Sequence, residues 1–252
     1  MLNTVKYDGP GNVPVLIAHG LYGSARNWNV IAKRLSATRP VIVVDMRNHG
    51  SSPWYKAHSY QDMAADLAQV LDGPADILGH SMGGKAAMTL ALTQPDLVRK
   101  LIVADIAPVD YESIDIAPLD AMDAVDLSTI TRRSDAADQM HGIDAGVQSF
   151  LLQSLDMKEK RWVLNRDVLR QQMREIRSFP QINAQFAGPT LFLTGANSDY
   201  VQAAHRPAIK ALFPKARFAK IPDAGHWIHA EKPREFEAAV AAFLAYTPPA
   251  PK

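Results

Sequence analysis

A serine stands between glycines two places away on each side in Gly79-His80-Ser81-Met82-Gly83, directly after ADIL and before the small-residue stretch MGGKAAMTLAL. A hydroxyl is a weak nucleophile alone. It attacks a carbonyl when a base takes its proton, an acid orients that base, and hydrogen-bond donors meet the oxyanion. The chain offers candidates for every role. His226, in IPDAGHWIHAEKP just after the strand-like ARFAKIP, is the expected base. The N–H of Met82, next after the serine, and the N–H of Leu21 in HGLYG are the expected oxyanion donors, the flanking glycines permitting a tight turn. Two aspartates compete for the acid. Asp105 closes the run LIVAD, where a carboxylate without a partner would be costly. Asp199 follows TLFLTG, but counting from Gly195 and back from Val201 puts the acid slot at Ser198, so Asp199 falls one residue late. The residues favour Asp105 and keep Asp199 as the alternative. Of the remaining histidines, His229 is the rival base and is otherwise expected at the surface or just behind the reacting residues. His80 is expected to point away from the nucleophile, His19 to pack under its loop, and His49, His58, His141 and His205 show no partner pattern.

These residues need a scaffold that brings them together. LNTVKY reads as a short strand, and VPVLIAH, VIVVDM, ADILGHS and LIVADIA as strands buried on both faces, since each is an apolar run of strand length. PTLFLTG and ARFAKIP continue the series. Between them lie helical patterns: NWNVIAKRLSA with Trp28, Ile31, Ala32 and Leu35 at helical spacing, SYQDMAADLAQVL with Ser59 placed to cap it, MGGKAAMTLAL, AAHRPAIKALF and PREFEAAVAAFLAY. Strands alternating with helices predict an α/β fold, a mostly parallel sheet with helices on both faces. Ligands bind at the carboxyl ends of such strands, where Ser81, Asp105 and the Leu21 loop fall.

Residues 110–187 break the rhythm. They hold no strand-like run, only mixed stretches such as DAMDAVDLST and KEKRWVLNRDVLRQQMREIRSF. The block is too long for one crossover. It is expected to form a helical lid over a core made of residues 1–109 and 188–247, with 248–252 a disordered proline-rich tail. Phe150, Leu151, Leu155, Trp162 and Met173 of the lid suggest an acyl pocket, to which Tyr22 and Trp227 of the core are expected to contribute.

Composition excludes several functions. The 252 residues carry 27 Lys+Arg against 26 Asp+Glu with no block of like charge, so no nucleic acid or anionic membrane is expected as a partner. There is no cysteine, which removes disulfide and thiolate chemistry. No apolar run reaches the roughly 18–20 residues of a membrane span, and the N-terminus lacks a secretory pattern. A cytoplasmic enzyme with no cofactor and no metal is expected. The oligomeric state is open.

HGLYGSARNW, VDMRNHGSSP, LGHSMGGKAAM, ADIAPVDY and AGHWIHAEKP, in that order, resemble the YbfF-like esterases of the α/β-hydrolase superfamily. The likeness runs across nearly the whole chain and is weakest over the expected lid. MRNHG and SMGGK carry more of it than the serine motif alone. The resemblance implies the α/β-hydrolase fold with its lid inserted between the sixth and seventh strands. It implies a serine esterase acting on small acyl esters or thioesters through an acyl-enzyme, and an acid in ADIAP, which is Asp105. The alternatives are a carbon–carbon bond hydrolase or a cofactor-free perhydrolase on the same scaffold, and a non-catalytic binding protein. The last usually lacks a member of the triad, whereas here each role has a candidate.

Overall fold

The runs of Val, Ile and Leu form strands whose two faces are both covered. In the computed structural model, which describes residues 1–246, the strands are β1 (Thr4–Tyr7), β2 (Val15–Ala18), β3 (Val41–Val44), β4 (Ala75–His80), β5 (Val98–Ala104), the two-residue strands β6 (Leu155–Asp156) and β7 (Arg161–Trp162), β8 (Thr190–Gly195) and β9 (Ala216–Ile221). The tail expected over 248–252 lies outside the described residues. Seven strands make one sheet in the order β1-β3-β2-β4-β5-β8-β9. Only β1 runs antiparallel, along β3, and the other neighbours are parallel. Every residue of β2, β4 and β8 is buried, as apolar parallel strands require.

Helices cover the two faces. α1 (Asn29–Leu35) and the C-terminal α11 (Pro233–Ala245) share one, packing Trp28, Ile31, Leu35, Phe236 and Val240 against Ile17, Val43, Leu78 and Ile102. α2 (Tyr60–Val70), α3 (Met82–Thr93) and α9 (Arg206–Leu212) cover the other, with Leu67, Leu90 and Ile209 in its core. α2 starts where its sequence indicates: Ser59 caps it, its Oγ accepting from the Asp62 N–H at 3.1 Å. α3 is buried from Met82 to Leu92, because its alanines and glycines let it lie close to the sheet.

Register places the chemistry. Ala18 pairs with Gly79, His80 with Ala104, and Ala104 with Leu193, so β2, β4, β5 and β8 end level with one another. The residues that follow, His19–Tyr22, Ser81 and Asp105, therefore rise from one rim.

Between β5 and β8 the chain leaves the sheet for α4 (Ala117–Asp123), α5 (Arg133–Ala137), α6 (Ala145–Leu151), the β6–β7 hairpin, α7 (Arg166–Gln171) and α8 (Met173–Arg177). This insertion follows the fifth strand of the chain, not the sixth as expected, because a single antiparallel strand precedes the first parallel one. Nor is it wholly helical. Asp156 Oδ1 accepts from the N–H groups of Lys158 and Glu159 and Lys160 takes φ 49°, so a turn closes Leu155–Trp162 into a hairpin that the polar sequence hides. Lys85 of α3 fastens the insertion to the core. Its Nζ donates to the carbonyls of Val109, Arg177 and Ser178 at 2.9, 2.8 and 2.5 Å. Among the described residues no helix is long and apolar enough to cross a membrane.

Candidate active site

Ser81 occupies the bend between β4 and α3 with φ 52° and ψ −119°, a conformation a side-chain-bearing residue adopts only under constraint. The constraint is close packing. A Cβ on Gly79 would sit 2.3 Å from the Gly83 carbonyl oxygen, and one on Gly83 would sit 2.4 Å from that of Ala18. Glycine at both positions lets the bend close, and the Ser81 hydroxyl is thrown outward above the rim.

The hydroxyl meets an imidazole. Ser81 Oγ lies 3.0 Å from His226 Nε2, and His226 Nδ1 lies 2.7 Å from Asp105 Oδ2. Asp105 is fully buried with φ 53°. Its carboxylate also accepts from the Gly195 N–H at 3.1 Å and from the Ser198 hydroxyl, so its burial is compensated on both oxygens. Asp199 is exposed on the same loop and makes no contact with His226. The acid slot counted along β8 thus holds a serine that hydrogen-bonds the carboxylate from the neighbouring strand. With Asp105 accepting at Nδ1, His226 presents an unprotonated Nε2 to the hydroxyl, the tautomer a general base needs.

The backbone donors lie opposite. Among the described residues, no acceptor takes the N–H of Leu21 or of Met82. Met82 opens α3, where the helix N-terminus favours negative charge. The Leu21 loop is held from below by histidines. Tyr22, at φ 64°, donates its N–H to His49 Nε2 at 3.2 Å, and His49 Nδ1 donates to the Arg47 carbonyl at 2.8 Å. His19 Nε2 accepts from the Met46 N–H and its Nδ1 donates to the Gly20 carbonyl. His58 contacts Asn48 Nδ2 and the sulfur of Met82. Burial drives all three rings neutral: it pulls His19 down, His49 well below its ordinary value, and His58 to about 3.

Behind the base lie two more histidines. His80 Nε2 donates to the His226 carbonyl at 2.9 Å. His229 is buried, not superficial, and stacks on Trp28 at 4.3 Å. Burial lowers both, His80 well below the ordinary range and His229 to about 3. Tyr200 stacks on the His226 ring at 3.9 Å, and its carbonyl accepts from the Tyr111 hydroxyl at 2.6 Å.

A cavity of about 460 Å³ opens over Ser81 between the rim and the insertion. Tyr22, Phe150 and Trp227 line it, as do Leu151 and Met173. Trp162 and Leu155 do not. β7 turns the indole into the core, where it is 3% exposed, and the Leu155 side chain is buried beside it. Apolar residues on a short hairpin look like pocket residues in sequence and pack inward in space. Sequence reasoning missed Ser198, Tyr200, His49, Lys85 and Arg177. A weak signal existed for two: Asn48 and Gly50 flank His49 with positive φ, and Ser198 stood in the counted slot.

An alpha/beta hydrolase fold family model matches residues 13–233. The chain is 43% identical to the mouse sn-1-specific diacylglycerol lipase ABHD11, covering 94% of this chain and 83% of that protein. It is 41% identical to esterase YbfF of Escherichia coli K12, covering 92% and 93% respectively. Among solved structures, a marine microorganism esterase superposes with a TM-score of 0.90 at 38% identity, covering 96% of this chain and 98% of that one. With that sheet order, that bend and these relatives, the chain belongs to the α/β-hydrolase family.

Proposed function

We propose that this protein is a serine carboxylic-ester hydrolase in which Ser81, His226 and Asp105 form the catalytic triad. The observation that carries the proposal is the unbroken chain from the Ser81 hydroxyl through His226 (3.0 Å) to the buried Asp105 carboxylate (2.7 Å), open to a cavity. The relatives named esterase and lipase support ester bonds as the target.

Ser81 Oγ attacks the acyl carbonyl while His226 Nε2 takes its proton. Asp105 holds the imidazole by Nδ1 and stabilises the imidazolium. The oxyanion takes the N–H groups of Leu21 and Met82, each worth roughly 3–4 kcal/mol in a site of this kind. His226 returns the proton to the leaving alcohol or thiol. Water, activated by the same base, then attacks the acyl-serine, and the acid departs. The insertion over residues 110–187 acts as the lid that sets acyl preference, with Phe150 and Trp227, 5.7 Å apart between ring centres, gripping the substrate together with Tyr22. The lack of cysteine fits a reducing compartment such as the cytoplasm, which subcellular fractionation would test.

The direct test is covalent labelling by a fluorophosphonate with mass mapping of the adduct, beside a panel of ester and thioester substrates. Labelling of Ser81 with turnover of esters is the expected result. Folded protein that takes no label, or a label on another serine, would overturn the assignment.

A further inference from the structure

The cavity contains a guanidinium that pairs with no carboxylate among the described residues. Arg177 ends α8 and lines the cavity wall beside Tyr200 and Tyr111, its Cζ 5.7 and 5.0 Å from their ring centres. Of its five N–H donors one is engaged, from Nη1 to the Tyr200 hydroxyl at 3.3 Å, and Nε is buried with no partner. Among the described residues Arg177 forms no ion pair. An arginine fork left this underused inside a pocket is unusual, because the side chain is built to hold carboxylate or phosphate oxygens in pairs.

The position is fixed rather than accidental. The Arg177 carbonyl accepts from the Lys85 ammonium at 2.8 Å, so the end of α8 is pinned to the core. Lys85 lines the same cavity, but its three donors are spent on backbone carbonyls and burial lowers it to about 7, so Arg177 is the cation with donors to offer there. The acids nearby are otherwise occupied. Asp110 accepts from the Phe179 N–H, and Asp115 and Asp144, exposed where they line the cavity, accept from the N–H groups of Ala117 and Gly146. Tyr200 forms the link to the chemistry, with one face of its ring on His226 and its hydroxyl on Arg177.

We propose that Arg177 is a specificity-determining residue that binds an anionic oxygen group on the substrate, so that the preferred esters carry a carboxylate close to the scissile bond. This rests on the ester-hydrolase reading above and deepens it. The carboxylate belongs to either the acyl part or the leaving alcohol, and the test separates the two.

Four alkyl esters are compared by pH-stat at neutral pH: monoethyl adipate against ethyl hexanoate for the acyl side, and 3-(butyryloxy)propanoate against propyl butyrate for the alcohol side. The wild type is expected to favour the charged member of one pair. R177Q is expected to lower that pair's ratio of kcat/KM by about 10- to 100-fold, the usual consequence of losing a charge-assisted pair of hydrogen bonds, and R177K to lower it less. As a measurement that needs no variant, adipate is expected to compete with ethyl hexanoate in the wild type while dimethyl adipate at the same concentration competes more weakly. If the wild type hydrolyses the neutral esters but favours neither charged ester, or if the ratio moves less than threefold in folded R177Q, this inference falls and the hydrolase reading stands. If no ester turns over and Ser81 takes no fluorophosphonate, the hydrolase reading falls and takes this inference with it.

Discussion

Mild acid is expected to undermine this fold well before its carboxylates protonate, and His229 is the residue on which to measure why. His19, His49, His58, His80 and His229 are all buried, and burial lowers each from the ordinary 6.5, to about 3 for His58 and His229. In the unfolded chain each takes a proton near pH 6.5. As the pH falls through that value the unfolded state binds protons that the native state refuses, so the free energy of unfolding falls with it. For His58 and His229 the loss continues down to about pH 3. At pH 5.5 each histidine held well below that value removes about 1.4 kcal/mol, and the four of them, His49, His58, His80 and His229, remove about 6 kcal/mol, within the range of an ordinary domain's whole stability of roughly 5–15 kcal/mol. The carboxylates held below their ordinary 3.8, Asp126, Asp135 and Asp156, act only at lower pH and leave this window clear.

His229→Phe isolates one of these contributions. The ring makes no hydrogen bond, its Nδ1 is buried without a partner, and its packing is aromatic, flat on Trp28 and edge-on to Phe236. Phenylalanine keeps the stack and removes both the orphaned nitrogen and the titration. At pH 7.5 the gain of about 1–3 kcal/mol from the orphan is offset by up to about 1–3 kcal/mol for fitting a larger ring, so the variant is expected close to wild type. Between pH 7.5 and 5.5 its loss should be smaller by about 1.4 kcal/mol. Urea unfolding at a series of pH values, followed by tryptophan fluorescence, measures both. A wild-type stability that moves by less than about 2 kcal/mol over this range, or a variant that loses as much as the wild type, would refute the reasoning.

Asp105→Asn is expected to cut kcat by about 10⁴-fold, as for an imidazole left in the wrong tautomer, and Asp199→Asn to leave it within twofold; if Asp199→Asn alone inactivates, the triad is misassigned. Ser198→Ala removes one of three donors from the Asp105 carboxylate, leaving Gly195 and His226, and should lower kcat about tenfold while the fluorophosphonate still labels Ser81. Lys85→Met leaves the carbonyls of Val109, Arg177 and Ser178 without their donor and is expected to cost about 3 kcal/mol or more in urea unfolding. Gly79→Ala forces a methyl to 2.3 Å from the Gly83 oxygen, and loss of soluble folded protein is the expected readout.

The parts of the site legible in sequence are those whose backbone demands special residues. Ser81 could be found because the bend needs Gly79 and Gly83, and Asp105 because a carboxylate closing a buried run must meet a partner. Long apolar runs also betrayed their strands, since parallel strands are covered twice. What escaped depends on contacts across the sheet. Ser198 stands in the counted acid slot without an acid to offer, and its role shows only when β5 and β8 are laid side by side with Ala104 opposite Leu193, which carries its hydroxyl to Asp105. Trp162 reads as a pocket residue until the hairpin turns it inward. Arg177 and Lys85 read as solvated charges on helical patterns, because nothing local reveals that α8 will dock over α3.

The histidines beneath the Leu21 loop tie stability to chemistry. The N–H of Tyr22, next to the proposed oxyanion donor Leu21, is satisfied in its left-handed conformation by His49 Nε2. An imidazole can accept that bond only while neutral. His19 holds Met46 in the same way, by an acceptor nitrogen kept unprotonated through burial. A carbonyl or carboxylate could accept as well, but neither could also donate as these rings do, to Arg47 from His49 and to Gly20 from His19. Each ring thereby joins two backbone segments that share no strand. The sensitivity to acid is the consequence of that arrangement: a proton on His49 or His19 would remove an acceptor from under the loop, so the native state keeps both rings neutral and the unfolded state takes the protons instead.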